Sequence, residues 1–242
     1  MDADSWAASS VFGILRFSHN EDLQTLVFSE TFRGRTQLIA ENMFPSALSV
    51  FLPVKDMTMK TITQTYIKIQ TDWNMRTDKL TEIYGAASVG QSIIFANSEA
   101  TAVKLVDVMR AQGHTVSLMS NEIHDEPSQV RNQHRDNVMR EFKNGITRIL
   151  ITTNTLKRGM DNPAVNLVVN FDLPVIKGEL LAETYLHRIG SAGRSGNRGV
   201  AITLVSDDEV HVIENIKNKY GCRISELQGD VEDMHDTLRM LR

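Results

Sequence analysis

RILITTNTLKRGMDNPAVNLVVN, residues 148–170, is the stretch that decides the fold. It opens on an apolar run, Arg148-Ile-Leu-Ile-Thr152, and closes on another, Asn166-Leu-Val-Val-Asn170, with a polar, glycine-bearing loop between them. A run such as Leu167-Val168-Val169 suits a sheet covered on both faces. Working outward, runs of strand length alternate with segments of helical period. Upstream, 62–69 alternates as a half-buried strand should, 78–84 reads as a helix with Gly85 as its stop, and 92–95 reads as a buried strand. A helix over 99–112 ends at Gly113, a strand covers 115–118, and a helix covers 135–143. Downstream come a helix at 183–189, a strand at 201–205 and helices at 208–219 and 230–241. Strands alternating with helices predict βαβ units and a parallel sheet. Such sheets bind ligands at the carboxyl ends of their strands. The loops after Phe95, Leu118, Thr152 and Asn170 are therefore where chemistry is expected.

The first 53 residues read differently. Leu26-Val27-Phe28 has the composition of a short strand, 35–44 that of a helix stopped by Pro45, and 50–53 is extended. The best linker is 54–59. A lone apolar strand at 26–28 lacks neighbours, so it is expected to pack on the main domain, pair with another chain or be mobile.

Composition narrows the function classes. The chain has 242 residues, 41% of them hydrophobic, enough for one large domain or one domain plus a remnant. It carries no run long enough for a membrane span, and its start lacks the basic and apolar regions of a secretory signal. The single cysteine, Cys222, excludes an internal disulfide and an all-cysteine zinc site, and fits a reducing compartment. A net charge of −4 means that nucleic-acid binding needs a local basic surface.

Two loops could carry chemistry. In Thr153-Asn-Thr-Leu-Lys-Arg-Gly-Met-Asp161, hydroxyls and backbone N–H groups can hold phosphate. Gly159 permits close approach, and Asp161 can accept from a ribose hydroxyl. The same loop also reads as a capped helix start with an Arg158–Asp161 surface pair. In His187-Arg-Ile-Gly-Ser-Ala-Gly-Arg-Ser-Gly196, two arginines suit bidentate phosphate contact. A plain helix C-terminus accounts for Arg188 and Gly190, but not for Arg194 followed by Gly196.

Taken in order, these segments resemble the second RecA-like domain of a DEAD-box RNA helicase, from Leu26 to the C-terminus. Ser29-Glu30-Thr31 sits where that family has motif III. Ser92 to Phe95 looks like motif IV, and Arg135 with the helix after it like the Q-x-x-R region, with Asn132 at the glutamine position. Residues 152–161 match motif V and 185–194 match motif VI. Ile83-Tyr84-Gly85, Gly113-His114-Thr115-Val116, the run Val168 to Pro174 and the insert from Val175 to Ala182 are similar to the mRNA-export subfamily.

The resemblance implies an α/β RecA-like domain of the P-loop-NTPase type. Its mostly parallel sheet would be flanked by helices on both faces at 55–242, after a remnant of a first RecA-like domain at 1–54. It implies ATP as cofactor, with Mg2+ supplied by a first domain not present in this chain. Carried over by position, Gly159, Asp161 and Arg194 would contact ATP. Arg194 and His187 would serve catalysis, Arg194 at the γ-phosphate and His187 by coupling motif III to the nucleotide. Ser98, Arg135 and Thr153 would hold RNA phosphates. Expected partners are single-stranded RNA or an mRNP, a first RecA-like domain in cis or in trans, and a nuclear-pore activator protein. No membrane is implied. The expected location is cytoplasmic or nuclear, including the nuclear pore.

Four departures bear on activity. Ser191 stands where the family has an arginine finger, and a hydroxyl replaces neither its charge nor its reach. Glu30 replaces a small residue in motif III, so that a carboxylate nears the triphosphate. Asn121 replaces a glycine, and extra residues including His124 to Pro127 precede Arg135. No G-x-x-x-x-G-K-[ST] phosphate loop or intact Asp-Glu-Ala-Asp box is present; Met1-Asp-Ala-Asp4 only faintly resembles the latter. The isolated chain is therefore expected neither to hydrolyse ATP nor to unwind RNA. Two readings stay open: the C-terminal half of a helicase of the mRNA-export type, and a catalytically dead pseudo-helicase acting as an RNA- or protein-binding module.

Overall fold

The computed structural model describes residues 24–28, 34–50, 61–86, 89–119, 128–153, 162–176, 178–193, 196–228 and 231–239. The expected linker at 54–59, motif III with Glu30, Asn121, and three of the family's nucleotide residues (Gly159, Asp161 and Arg194) lie outside these residues. The chain divides into two units, Met1–Phe51 and Leu52–Arg242.

In the first unit, helix α1 (Gly34–Met43) ends in a turn in which the Ala47 N–H donates to the Phe44 carbonyl at 3.0 Å, around Pro45. Residues 24–28 form no strand, in contrast to the expectation from sequence, and Phe28 is 87% exposed. Three apolar residues specify a strand only where another backbone is there to pair with them.

The second unit is built on a seven-stranded sheet in the order β3-β4-β2-β5-β8-β1-β9. Its strands are β1 (Ile62–Lys68), β2 (Gln91–Phe95), β3 (Val116–Met119), β4 (Ile149–Thr152), β5 (Val165–Asn170), β8 (Gly199–Val205) and β9 (Ile224–Leu227). Every pairing in it is parallel. Helices α2 (Trp73–Ala86), α3 (Glu99–Ala111) and α7 (Val231–Arg239) cover one face. Leu80, Ile83, Leu105 and Met109 pack there on Ile94, Ile151, Val169 and Ile202. Helices α4 (Ser128–Lys143), α5 (Ala182–Ile189) and α6 (Val210–Tyr220) cover the other. Phe142, Tyr185, Ile189 and Ile213 pack there on Ile93, Phe95, Val168 and Ala201. Successive strand residues point to opposite faces, so strands inside such a sandwich are apolar on both sides.

Several boundaries differ from the sequence reading for local reasons. Strand β1 is buried almost throughout rather than half-buried, because it lies between β8 and β9. Helix α2 starts earlier, where Asp72 Oδ1 accepts the Met75 N–H at 2.9 Å, and it runs through Gly85 rather than stopping there. Gly113 does end α3, at φ 82°. Strand β9 was not anticipated, because its four residues, Ile-Ser-Glu-Leu, are only half apolar. The insert after β5 folds as an antiparallel hairpin of β6 (Val175–Ile176) and β7 (Glu179–Leu180), turned at Gly178 with φ 80°. The Leu181 N–H donates to the Pro174 carbonyl at 2.8 Å, which closes the hairpin and launches α5.

Candidate functional site

Parallel strands give the sheet two chemically different rims. At the carboxyl rim, Phe95 of β2 pairs in register with Thr152 of β4, and the Ala96 N–H donates to the Thr152 carbonyl at 3.0 Å. The segments leaving these strands carry Ser98 and Thr153, so both follow neighbouring strand ends at the carboxyl rim. Ser98 caps α3: its Oγ accepts the Thr101 N–H at 3.0 Å and lies 2.7 Å from the Thr101 hydroxyl. Thr153 is half-buried directly beyond β4.

Around them runs a charged network. Asp172, after β5, accepts the Asn97 N–H on Oδ2 at 2.9 Å, and Asn97 Nδ2 donates to the Leu173 carbonyl at 2.6 Å. Arg188, reaching back from the last turn of α5, donates to the Asp172 carbonyl at 2.7 Å and to Asn97 Oδ1 at 2.8 Å. It is 1% exposed, and its guanidinium lies 5.2 Å from the Phe95 ring centre. Burial pulls its pKa down to about 10, against the pull of Asp172, so it stays charged at neutral pH. Arg76, in the first turn of α2, donates to the Phe171 carbonyl at 2.8 Å and lies 3.4 Å from both Asp172 Oδ1 and Glu209 Oε2. Glu209 also accepts from the Ser206 N–H and hydroxyl, at 2.9 and 2.8 Å. Arg76 is thereby ion-paired, with its Nε left without a partner, and Arg188 is held by two neutral oxygens beside Asp172. Arg188 had a plain reading as a basic residue at a helix end; burial makes it an anchor instead. Asn97, Asp172 and Arg76 were missed, because their partners lie 16 to 133 residues away.

The contacts described at the amino rim are made by backbone and amide groups. The Gly193 N–H donates to the Val165 carbonyl at 3.2 Å, and Asn197 Nδ2 donates to the Pro163 carbonyl at 3.2 Å. Motif VI and the exit of motif V therefore meet here. Gly193 has φ 66°, and a Cβ on Gly199 would lie 2.7 Å from the Gly193 nitrogen, so neither position has room for a side chain. This glycine contact fixes the backbone one residue before Arg194. Ser191, 8% exposed, turns its hydroxyl onto the His187 carbonyl at 3.3 Å. His187 is half-buried in the last turn of α5, and Arg135 is half-buried in α4.

A single-rim arrangement of the 153–161 and 187–196 turns is what the sequence reading requires; residues 154–161 and 194–195 lie outside the described residues, and the described ends of the two turns fall at both rims. Thr153 starts at the carboxyl rim, while Asn162 to Val165 return at the amino rim. Motif VI spans both, with the Arg188 side chain at one and Gly193 at the other. The reason is that α5 runs back along the sheet, which brings the loop after it to where β5 and β8 begin. Among the described residues no cluster of His, Cys, Asp or Glu could hold a metal ion, and no helix is long and apolar enough to cross a membrane.

A parallel sheet in this strand order, with helices on both faces and an arginine-anchored helix joining its rims, is a RecA-like domain of the helicase type. The helicase conserved C-terminal domain family matches residues 75–196. Over 203 residues the chain is 35% identical to the ATP-dependent RNA helicase DBP5 of Saccharomyces cerevisiae, covering 83% of this chain and 40% of that protein. It is 35% identical over 223 residues to a probable eukaryotic initiation factor 4A of Trypanosoma brucei brucei, covering 92% of this chain and 52% of that one. Among solved structures, S. cerevisiae Dbp5 bound to RNA and ADP BeF3 superposes with a TM-score of 0.79 at 32% identity, over 97% of this chain and 59% of that one. The isolated C-terminal domain of the DEAD-box protein Dbp5 superposes with a TM-score of 0.65 at 34% identity, over 75% of this chain and 99% of that one. The chain belongs to the DEAD-box RNA helicases, as their helicase C-terminal domain. It spans about half the length, or less, of the curated relatives it matches.

Proposed function

We propose that this chain acts as the C-terminal half of an ATP-dependent RNA helicase of the mRNA-export type. The observation that carries the reading is the split of polar groups between two rims. Ser98 and Thr153 follow the neighbouring ends of β2 and β4, and with Arg135 they form the RNA-phosphate side, positioning the strand without reading its sequence. Motifs V and VI meet at the start of β5 and form the nucleotide side. There Gly159 and Asp161 take the ribose, Arg194 takes the γ-phosphate, and His187 couples across the cleft. A first RecA-like domain, in cis or in trans, supplies the phosphate loop and Mg2+. The linkage falls near residue 54.

The residues fit a nucleotide held by one arginine rather than two. Ser191 lies back on its own helix and brings no charge. Transition-state charge on the γ-phosphate is therefore under-compensated. Turnover by the chain alone is absent, and with a first domain it is slow. That same observation favours a second reading, a pseudo-helicase that keeps the RNA surface and has lost hydrolysis. Likeness to Dbp5, which has been solved with RNA, with Gle1 and IP6, and with Nup159, supports single-stranded RNA or an mRNP and a nuclear-pore activator protein as partners. It likewise supports action in the nucleus or cytoplasm, at the pore.

An RNA-stimulated ATPase assay tests this, run on the pure chain and on the chain mixed with a DEAD-box first RecA-like domain. Turnover only in the mixture supports the helicase-half reading. RNA binding without turnover in the mixture favours the pseudo-helicase. Turnover by the chain alone overturns both.

A further inference from the structure

At the amino rim, one buried side chain ties together the end of α4, the entry to β4 and the entry to β5. Gln91, the first residue of β2, is 6% exposed. Its Nε2 donates to the Phe142 carbonyl in the last turn of α4 at 2.5 Å and to the Thr147 carbonyl before β4 at 3.0 Å. Its Oε1 accepts from Asn162 Nδ2 at 3.1 Å. Asn162 in turn accepts the Ala164 N–H on Oδ1 at 3.1 Å, and the Gln91 N–H donates to the Ala164 carbonyl at 3.3 Å. Both Nε2 hydrogens and one Oε1 lone pair are used, a satisfied amide network in a dry setting.

We infer that Gln91 is a positioning residue. It locks Asn162, the residue following Asp161, to the C-terminal end of α4, and so sets the nucleotide-side segment against the helix that carries Arg135. This deepens the function proposed above and rests on it for the roles of Asp161 and Arg135. The physical basis is rigidity. Arg135 lies seven residues before Phe142, about two turns up one helix. A displacement of α4 at its RNA-side end is therefore carried to Gln91 and on to Asn162 through hydrogen bonds, without an intervening flexible loop. Only a side chain with two donors and an acceptor in one plane makes all three bonds at once. An apolar residue of the same size leaves the Asn162 amide and the Thr147 carbonyl without the Gln91 bond, and the Phe142 carbonyl with only the Gly145 N–H at 3.0 Å.

Residue-resolved amide exchange on the full chain tests this. With Gln91→Met, the Ala164 and Gln91 amides are expected to exchange on the order of ten-fold faster than wild type, while interior amides of β8 and α6 stay unchanged. Asn162→Leu removes one leg only. It should free the same two amides and leave Asn144 and Ile146, whose N–H groups bond to the end of α4, at wild-type rates. Unchanged exchange at Ala164 in either variant, or a uniform rise across the domain, overturns the inference. In the mixture with a first domain, Gln91→Met should raise KM for ATP with little change in kcat, whereas a merely structural role would lower the active fraction and leave KM alone. Absence of turnover in the wild-type mixture counts against the proposed function and leaves the exchange result to decide this one.

Discussion

The two rims of the sheet solve one problem, how to hold a loop still at the edge of a parallel sheet, by different physics. The carboxyl rim uses charge. Arg76 and Arg188 are buried, and carbonyls and carboxylates of Asp172 and Glu209 surround them. The contacts described at the amino rim are between neutral groups. They are the glycine contact between Gly193 and Gly199 and the amide network of Gln91 and Asn162. A rim that grips a polyanion through backbone and hydroxyl groups tolerates fixed arginines nearby, provided that each is already paired.

The comparison can be broken first at Ser191. With a first domain present, Ser191→Arg should raise RNA-stimulated turnover by roughly a hundred-fold, a fraction of the roughly 10³–10⁵ that an arginine finger contributes. No increase would mean that the amino rim does not face the γ-phosphate. Next comes the anchor of the charged rim. Arg188→Ala leaves Asn97 Oδ1 and the Asp172 carbonyl unpaired and should cost about 3 kcal/mol in denaturant unfolding. A loss near zero would show that the charge network is ornamental. On the neutral rim, Gly199→Ala forces a Cβ against the Gly193 backbone and should cost about 2 kcal/mol. Gly196→Ala has open space and only a left-handed backbone, φ 82°, to strain, and should cost about 1 kcal/mol. Equal losses at the two positions would remove close packing as the cause.

The smallest effect is one of pH. Burial holds His114 below its ordinary value of 6.5, beside the Tyr84 ring at 5.3 Å. The unfolded chain binds that proton more readily than the folded one, so the stabilisation is complete above the unfolded value and declines as pH falls through it. His114→Gln should flatten the stability curve between about pH 7 and pH 5. A mutant curve that keeps the wild-type slope would assign the slope elsewhere.

The sheet itself was legible, because strands buried on both faces are written as unbroken apolar runs, as in Ile149 to Ile151 and Leu167 to Val169. Strand β9 was not, since Glu226 takes the Tyr66 hydroxyl at 2.9 Å and Lys68 at 2.9 Å, and such pairing is invisible in a four-residue string. Leu26 to Phe28 misled for the opposite reason: apolar residues were present, but among the described residues no strand pairs with them. Motif order made Ser98, Arg135, Thr153, Gly159, Asp161, His187 and Arg194 legible as candidates. What sequence order did not reveal is that the ends of motifs V and VI meet where β5 begins, because that depends on α5 returning along the sheet to place Gly193 beside Val165. Gln91 and Asn162 were passed over because an amide seventy-one positions from its partner gives no local signal.

The most direct measurement is a pair of amide chemical-shift maps on the isotope-labelled chain assembled with a first RecA-like domain, one with single-stranded RNA and one with a non-hydrolysable ATP analogue. RNA should perturb Asn97 to Thr101 and Thr153, and nucleotide should perturb Asn162 to Val165 and Gly190 to Gly199. Both ligands shifting the same rim, or the two patterns exchanged, would contradict the assignment of RNA to the charged edge and nucleotide to the neutral one.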